Sequence, residues 1–159
     1  MSDFQEPANL ADMLRARAKT RGDAIAFEFE GRQTSFAELD IQTNRVANGL
    51  KALGVRPRER IGYLGKNSDI YFELLLGAMK ANVVMAPVNW RLAGPEVTFI
   101  VGDCKAPVLF VGPEFITQAR NLKPQLPDTC VTSSPPKAAR RSGRILRRGG
   151  TLQARTIRR

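Results

Sequence analysis

The sequence contains no histidine at all. With no imidazole available, the chain cannot build a catalytic triad, a histidine general base or the usual histidine-bearing zinc sites from its own residues. Cysteine is almost as scarce: Cys104 and Cys130 are the only two, with no metal-binding or redox spacing between them, which fits reduced thiols rather than a disulfide framework. Long apolar runs are missing too, since Leu74 to Met79 and Val83 to Val88 fall far short of the ~20 residues of a membrane span. Asp3, Glu6 and Asp12 interrupt the start of the chain, unlike a secretory or transit leader. A soluble cytoplasmic protein without a transmembrane segment is the expectation.

Acidic residues are unevenly absent. Residues 1–130 carry 16 Lys+Arg against 15 Asp+Glu, whereas residues 131–159 carry 9 Lys+Arg and no acid. The net charge of +10 is therefore a property of the last segment and not of a basic folded domain. Two units are expected: a body over 1–130 and an Arg-rich, low-complexity, disordered tail over 131–159. That tail has no aromatic residue and only five large aliphatic ones, too few to offset the entropy of ordering it.

The body alternates between two periodicities. Asn9 can cap a helix in which Leu10, Met13, Leu14 and Ala18 recur at helical steps, with Gly22 as its end. Ile25 to Phe29 alternates as a strand, Gly31-Arg32 turns, and Gln33-Thr34 returns. Ser35 and Glu38 have the spacing of a capping box, and Leu39, Val46, Leu50 and Leu53 continue that helix to Gly54. Arg60 to Leu64 reads as a strand, and Ser68 caps a helix that is apolar on most faces and runs to about Ala81. Val83 to Pro87 forms a further strand, Gly94-Pro95-Glu96 opens another helix, and Val108 to Val111 is a last strand. Strands alternating with helices imply βαβ units, hence an α/β fold with helices packed on a mostly parallel sheet.

Three local sequences carry further information. Thr34-Ser35-Phe36-Ala37-Glu38-Leu39 opens a helix, Lys80-Ala81-Asn82-Val83-Val84-Met85-Ala86-Pro87-Val88-Asn89 links helix to strand, and Asn89-Trp90-Arg91-Leu92 with Glu96 follows at once. In this order they resemble the N-terminal region of AMP-forming acyl-CoA synthetases, the adenylate-forming ligase superfamily that includes fatty-acyl-CoA ligases, over about residues 5–125. The resemblance implies a partial N-terminal lobe of such a ligase. Asn82 departs from the glycine usual at its position, which puts a close backbone contact in question.

Each motif also has a structural reading. Capping alone accounts for Ser35 and Glu38. Gly62 to Ser68 lacks the spacing of a phosphate-cradling Walker loop and reads as a strand exit and helix cap. Trp90 and Arg91 are the two functional candidates, because in the resembled ligases the arginine of this loop lies near the nucleotide phosphates of CoA. A guanidinium suits phosphate, and an indole can cover an adenine or apolar face. The competing reading makes Trp90 core filler and Arg91 a surface charge. No catalytic residue and no metal ligand is assigned.

The resembled family uses ATP, Mg²⁺ and CoA, through a Ser/Thr/Gly-rich loop ending in lysine, a metal-binding glutamate, a ribose-binding aspartate and a late lysine. None of these has a counterpart in the sequence, so no cofactor is expected on this chain and the fragment is expected to be inactive alone. Two alternatives stand beside that reading. The tail could bind nucleic acid or anionic membrane weakly and without sequence preference, or the chain could be half of a split ligase. An exposed sheet edge could also drive self-association. The Arg/Pro/Gly/Ala bias of the tail further suggests a GC-rich gene that loses frame between about Leu122 and Ser133. Reading the other frames past the codon for Cys130 should then yield a Ser/Thr-Gly-rich loop followed by lysine. If neither frame does, the tail is a selected extension.

Overall fold

The computed structural model describes residues 8–126 and 128–132, without the side chains of Cys130 and Thr132. The expected disorder and polyanion binding of the tail concern residues that lie almost wholly outside this range, whereas the window expected for frame loss, Leu122 to Ser133, lies mostly inside it. Helix α1 (Leu10–Thr20) is capped by Asn9, whose side chain accepts from the Asp12 N–H at 3.0 Å. Its buried face is Ala11 and Leu14, while Leu10 and Met13 stay exposed, so the helix is rotated from the stripe its periodicity suggests. Strands β1 (Ile25–Phe29) and β2 (Arg32–Ser35) then form a separate antiparallel hairpin. Its turn is Glu30-Gly31, both at positive φ (49° and 74°), as a two-residue hairpin with the native strand twist requires.

Helix α2 (Phe36–Ala52) begins with the expected capping box. The Glu38 carboxylate accepts from the Ser35 N–H at 2.9 Å, and these hydrogen bonds to Ser35 hold its pKa below the ordinary carboxylate value. Strand β3 (Arg60–Leu64), helix α3 (Asp69–Lys80) and strand β4 (Val84–Val88) make one βαβ unit. Helix α4 (Gly94–Asp103) leads to β5 (Val108–Val111) and helix α5 (Ile116–Leu122) to β6 (Cys130–Thr132). The sheet order is β4-β3-β5-β6, with every neighbouring pair parallel. Strand β6 runs two residues past the charge border, and Val131 is buried in the core.

Two apolar layers cover this sheet. Val46 and Leu50 of α2 and Leu74 and Ala78 of α3 pack on Ile61, Tyr63 and Phe110. On the other side, Val97 and Val101 of α4 and Ala119 and Leu122 of α5 pack on Leu64, Leu109 and Val131. Helices α2 and α3 approach closely because Gly77 lies against Val46 and 3.0 Å, measured from where a Cβ would sit, from the Thr43 carbonyl oxygen. A methyl at Gly77 would overlap Val46, an overpacking that costs about 1–3 kcal/mol. Lys80 then ties the two helices: its ammonium, on a side chain only 2% exposed, donates to the Asp40 carboxylate at 2.6 Å, the Asp40 carbonyl at 3.1 Å and Asn44 at 2.9 Å. Burial nonetheless pulls its pKa below the ordinary lysine value, against the pull of Asp40.

Helix α3 is less enclosed than its composition suggests. Leu74, Gly77 and Ala78 are buried, but Phe72 and Met79 are exposed. Phe72 instead meets Phe27 of the hairpin, with ring centroids 6.1 Å apart. Among the described residues β4 is an edge strand, and its outer side offers one N–H fewer than a regular strand. Val84 N–H points to β3, donating to the Glu59 carbonyl at 2.9 Å, so alternation turns Met85 and Pro87 outward, and proline has no N–H to offer. No helix among the described residues is long and apolar enough to cross a membrane.

Asn82 sits at φ 56°, in the left-handed region. The position demands that conformation, which glycine adopts freely and asparagine better than most. Asparagine is thus accommodated at this angle, and its carbonyl accepts from the Arg58 N–H at 2.6 Å. Asn82→Ala should lower stability by about 1 kcal/mol, with Asn82→Gly within about half of that from the parent, as read from urea unfolding midpoints. Equal midpoints for the two variants would show that backbone conformation does not set the choice.

Candidate functional site

Parallel strands direct all their carboxyl ends to one edge, and there the connections diverge. The connection after β3 enters α3 on one face of the sheet, while that after β5 leads into α5 on the other. Ligands of open α/β sheets sit in the crevice such a divergence opens. Here β3 and β5 are hydrogen-bonded neighbours, and the Gly112 N–H donates to the Leu64 carbonyl at 2.8 Å just beyond their last pair. Glycines line both sides of the gap: a Cβ on Gly112 would stand 3.3 Å from the Gly65 Cα.

The loop after β4 carries Trp90 and Arg91 to this edge, where local hydrogen bonds hold it. Asn89 Oδ1 accepts from the Arg91 N–H at 3.0 Å, and Glu96 closes the following turn by accepting from the Ala93 N–H at 2.8 Å. Trp90 is half-buried, packs against the core around Leu64 and Val88, and meets the Phe115 ring with centroids 5.8 Å apart. The Arg91 guanidinium lies 4.2 Å from the centroid of the Trp90 ring, a cation–π stack. Trp90 thus fills core in part, and its ring also carries the Arg91 guanidinium.

Three residues that do not stand out in the sequence complete the cluster. Lys66 Nζ is 5.5 Å from the same Trp90 centroid. Its backbone is fixed by Tyr63, whose hydroxyl donates to the Lys66 carbonyl at 2.8 Å. Burial raises the Tyr63 pKa, which keeps the phenol protonated as that donor. Glu114, at the exit of β5, faces Lys66 at 3.9 Å, too long for a hydrogen bond. Phe115 backs the tryptophan. The signal that could have found Lys66 is positional: it lies at the carboxyl end of the central strand of a parallel sheet. Gly62 to Ser68 is indeed a strand exit and helix cap, but that description passes over what the exit presents.

The α3 N-terminus nearby is already satisfied, with Ser68 accepting from the Tyr71 N–H at 3.2 Å and Asp69 receiving Arg32 from the hairpin at 3.1 Å. Its dipole is therefore not a vacant anion site. No group of three or more Cys, Asp or Glu residues that could hold a metal occurs among the described residues. A separate open groove of about 420 Å³ between α1 and α2 is lined by Arg15, Lys19, Asp40, Ile41 and Asn44. Its Asp40 is already engaged by Lys80 and its Arg15 by Asp12.

An open α/β unit places its ligand crevice at the carboxyl edge of the sheet, and the fold alone does not name the ligand. A family model described as AMP-binding enzyme matches residues 14–150, and the chain belongs to that family. The match does not stop at the charge border. The chain is 41% identical over 102 residues to a fatty acid–acyl-carrier-protein ligase of Streptomyces coeruleorubidus, covering 64% of this chain and 20% of that protein. It is 33% identical over 143 residues to an indoleacetate–CoA ligase of Aromatoleum aromaticum, covering 89% and 28%. Among solved structures, a long-chain-fatty-acid CoA ligase from Rhodopseudomonas palustris superposes with a TM-score of 0.74 at 26% identity, over 80% of this chain and 34% of that one. The anthranilate CoA ligase AuaEII in complex with anthranoyl-AMP gives 0.73 at 30% identity, over 81% and 25%. The chain thus spans between a fifth and about a third of the lengths of these proteins.

Proposed function

We propose that these residues form the N-terminal α/β unit of an ATP-dependent ligase that activates a carboxylic acid as its acyl-adenylate and passes the acyl group to a thiol acceptor such as CoA. The family match over residues 14–150 carries this reading. The relatives named act on fatty and aryl acids, and an acid of that kind is the proposed substrate. Trp90 and Arg91 are the proposed contacts to the acceptor's nucleotide phosphates: a guanidinium pre-set on an aromatic face keeps its outward N–H groups for an anion.

By itself the 159-residue polypeptide is proposed to be inactive, because its sequence holds no Ser/Thr/Gly-rich loop ending in lysine to grip the phosphates of ATP. In phosphate chemistry of this kind most of the rate comes from positioned charge, and Lys66 and Arg91 alone supply too few groups to replace that loop. The purified chain, given ATP, Mg²⁺, CoA and a panel of fatty and aryl acids, should release no acid-dependent pyrophosphate and form no acyl-CoA. Turnover that tracks the pure protein, and is lost with Arg91→Ala, would overturn the inactivity and place chemistry on this unit.

A further inference from the structure

The motif offers Arg91 beside Trp90, and the fold brings a second cation, Lys66, to the same ring. Arg91 and Lys66 reach the same Trp90 ring from different strand exits, at 4.2 and 5.5 Å from its centroid, so the sum of those distances bounds their separation. Of the two, Arg91 makes no ion pair with a described residue, and Lys66 has only the loose 3.9 Å approach of Glu114. The ammonium is held in place from below, by the Tyr63 hydroxyl at its backbone and by the aromatic face beside its tip. An exposed lysine free in solution gives up rotamer entropy when it grips an anion; one already leaning on an indole gives up less.

We propose that Lys66 is a second phosphate-holding residue of this site, that Trp90 sets the spacing of the Lys66–Arg91 pair, and that Glu114 lowers the affinity of the pair for anions. The ligand chemistry that fits is a nucleotide bearing phosphates at two positions, one for each cation, with its base against the indole or Phe115. A single terminal phosphate on Arg91 would leave Lys66 with Glu114. This inference rests on reading the carboxyl edge as the site of the acceptor's nucleotide, and it adds the residues that set selectivity for a doubly phosphorylated nucleotide.

Trp90 is the sole tryptophan in the sequence, so its fluorescence reports on the ring directly. The probe is adenosine 3′,5′-bisphosphate, with 5′-AMP as the single-phosphate control, titrated into the 159-residue chain and checked by calorimetry. The side chains of Lys66 and Glu114 are 56% and 50% exposed, so their substitution leaves the core intact. Lys66→Gln should weaken the bisphosphate about tenfold and shrink its preference over AMP. Glu114→Gln should tighten it about threefold, and should do nothing in the Lys66→Gln background. If Arg91→Ala weakens binding while Lys66→Gln and Glu114→Gln match the parent, this inference is overturned and the site reading stands. If the parent binds neither nucleotide, or Arg91→Ala is silent, both are overturned.

Discussion

Strand β3 is the constraint on which the rest of the molecule depends. It is hydrogen-bonded on both sides, to β4 and to β5, and Ile61, Gly62, Tyr63 and Leu64 are all buried. A strand in that position needs helices on both faces, because parallel sheets expose neither side to water. The α2–α3 pair covers one face and the α4–α5 pair the other. The chain must then leave β3 and β5 toward opposite faces, and the gap between those exits is where Lys66, Trp90, Arg91 and Glu114 meet. The cluster is a by-product of how the sheet is covered.

The helix layer over β3 has little freedom of its own. Gly77 brings α3 against Val46, and Lys80 closes the far end with three hydrogen bonds to Asp40 and Asn44. The lowered Lys80 pKa indicates that desolvation offsets part of what those bonds contribute. Packing of Leu74, Ala78, Val46 and Leu50 on the sheet stabilises the layer more than the lysine does, and the lysine chiefly fixes the register of the two helices.

Local chemistry made much of this legible in advance. The Ser35–Glu38 capping box, the Asn9 and Ser68 caps and the proline-opened α4 were readable because each is settled within a few residues. The parallel sheet followed from the alternation of elements. Helix α5 and strand β6 are too short to show a period in the sequence, and β6 lies across the composition change at Cys130, where the charge pattern masks the apolar Val131. Trp90 and Arg91 were visible through a motif. Lys66 and Glu114 were not, because each gains its meaning from a residue on a different strand exit, and no spacing along the chain encodes that meeting. Asn82 shows the reverse case, in which an apparent departure is explained by a backbone angle that asparagine tolerates.

The central claim is that the carboxyl edge between β3 and β5 is the ligand-binding face of this AMP-binding family unit. Amide hydrogen exchange on the purified chain tests it directly, with and without adenosine 3′,5′-bisphosphate. Strong protection of Ile61 to Leu64 is expected in both states, with ligand-dependent slowing confined to residues 65–67, 89–92 and 112–115. Ligand-dependent protection in the α1–α2 groove instead, or rapid exchange through β3, would contradict it.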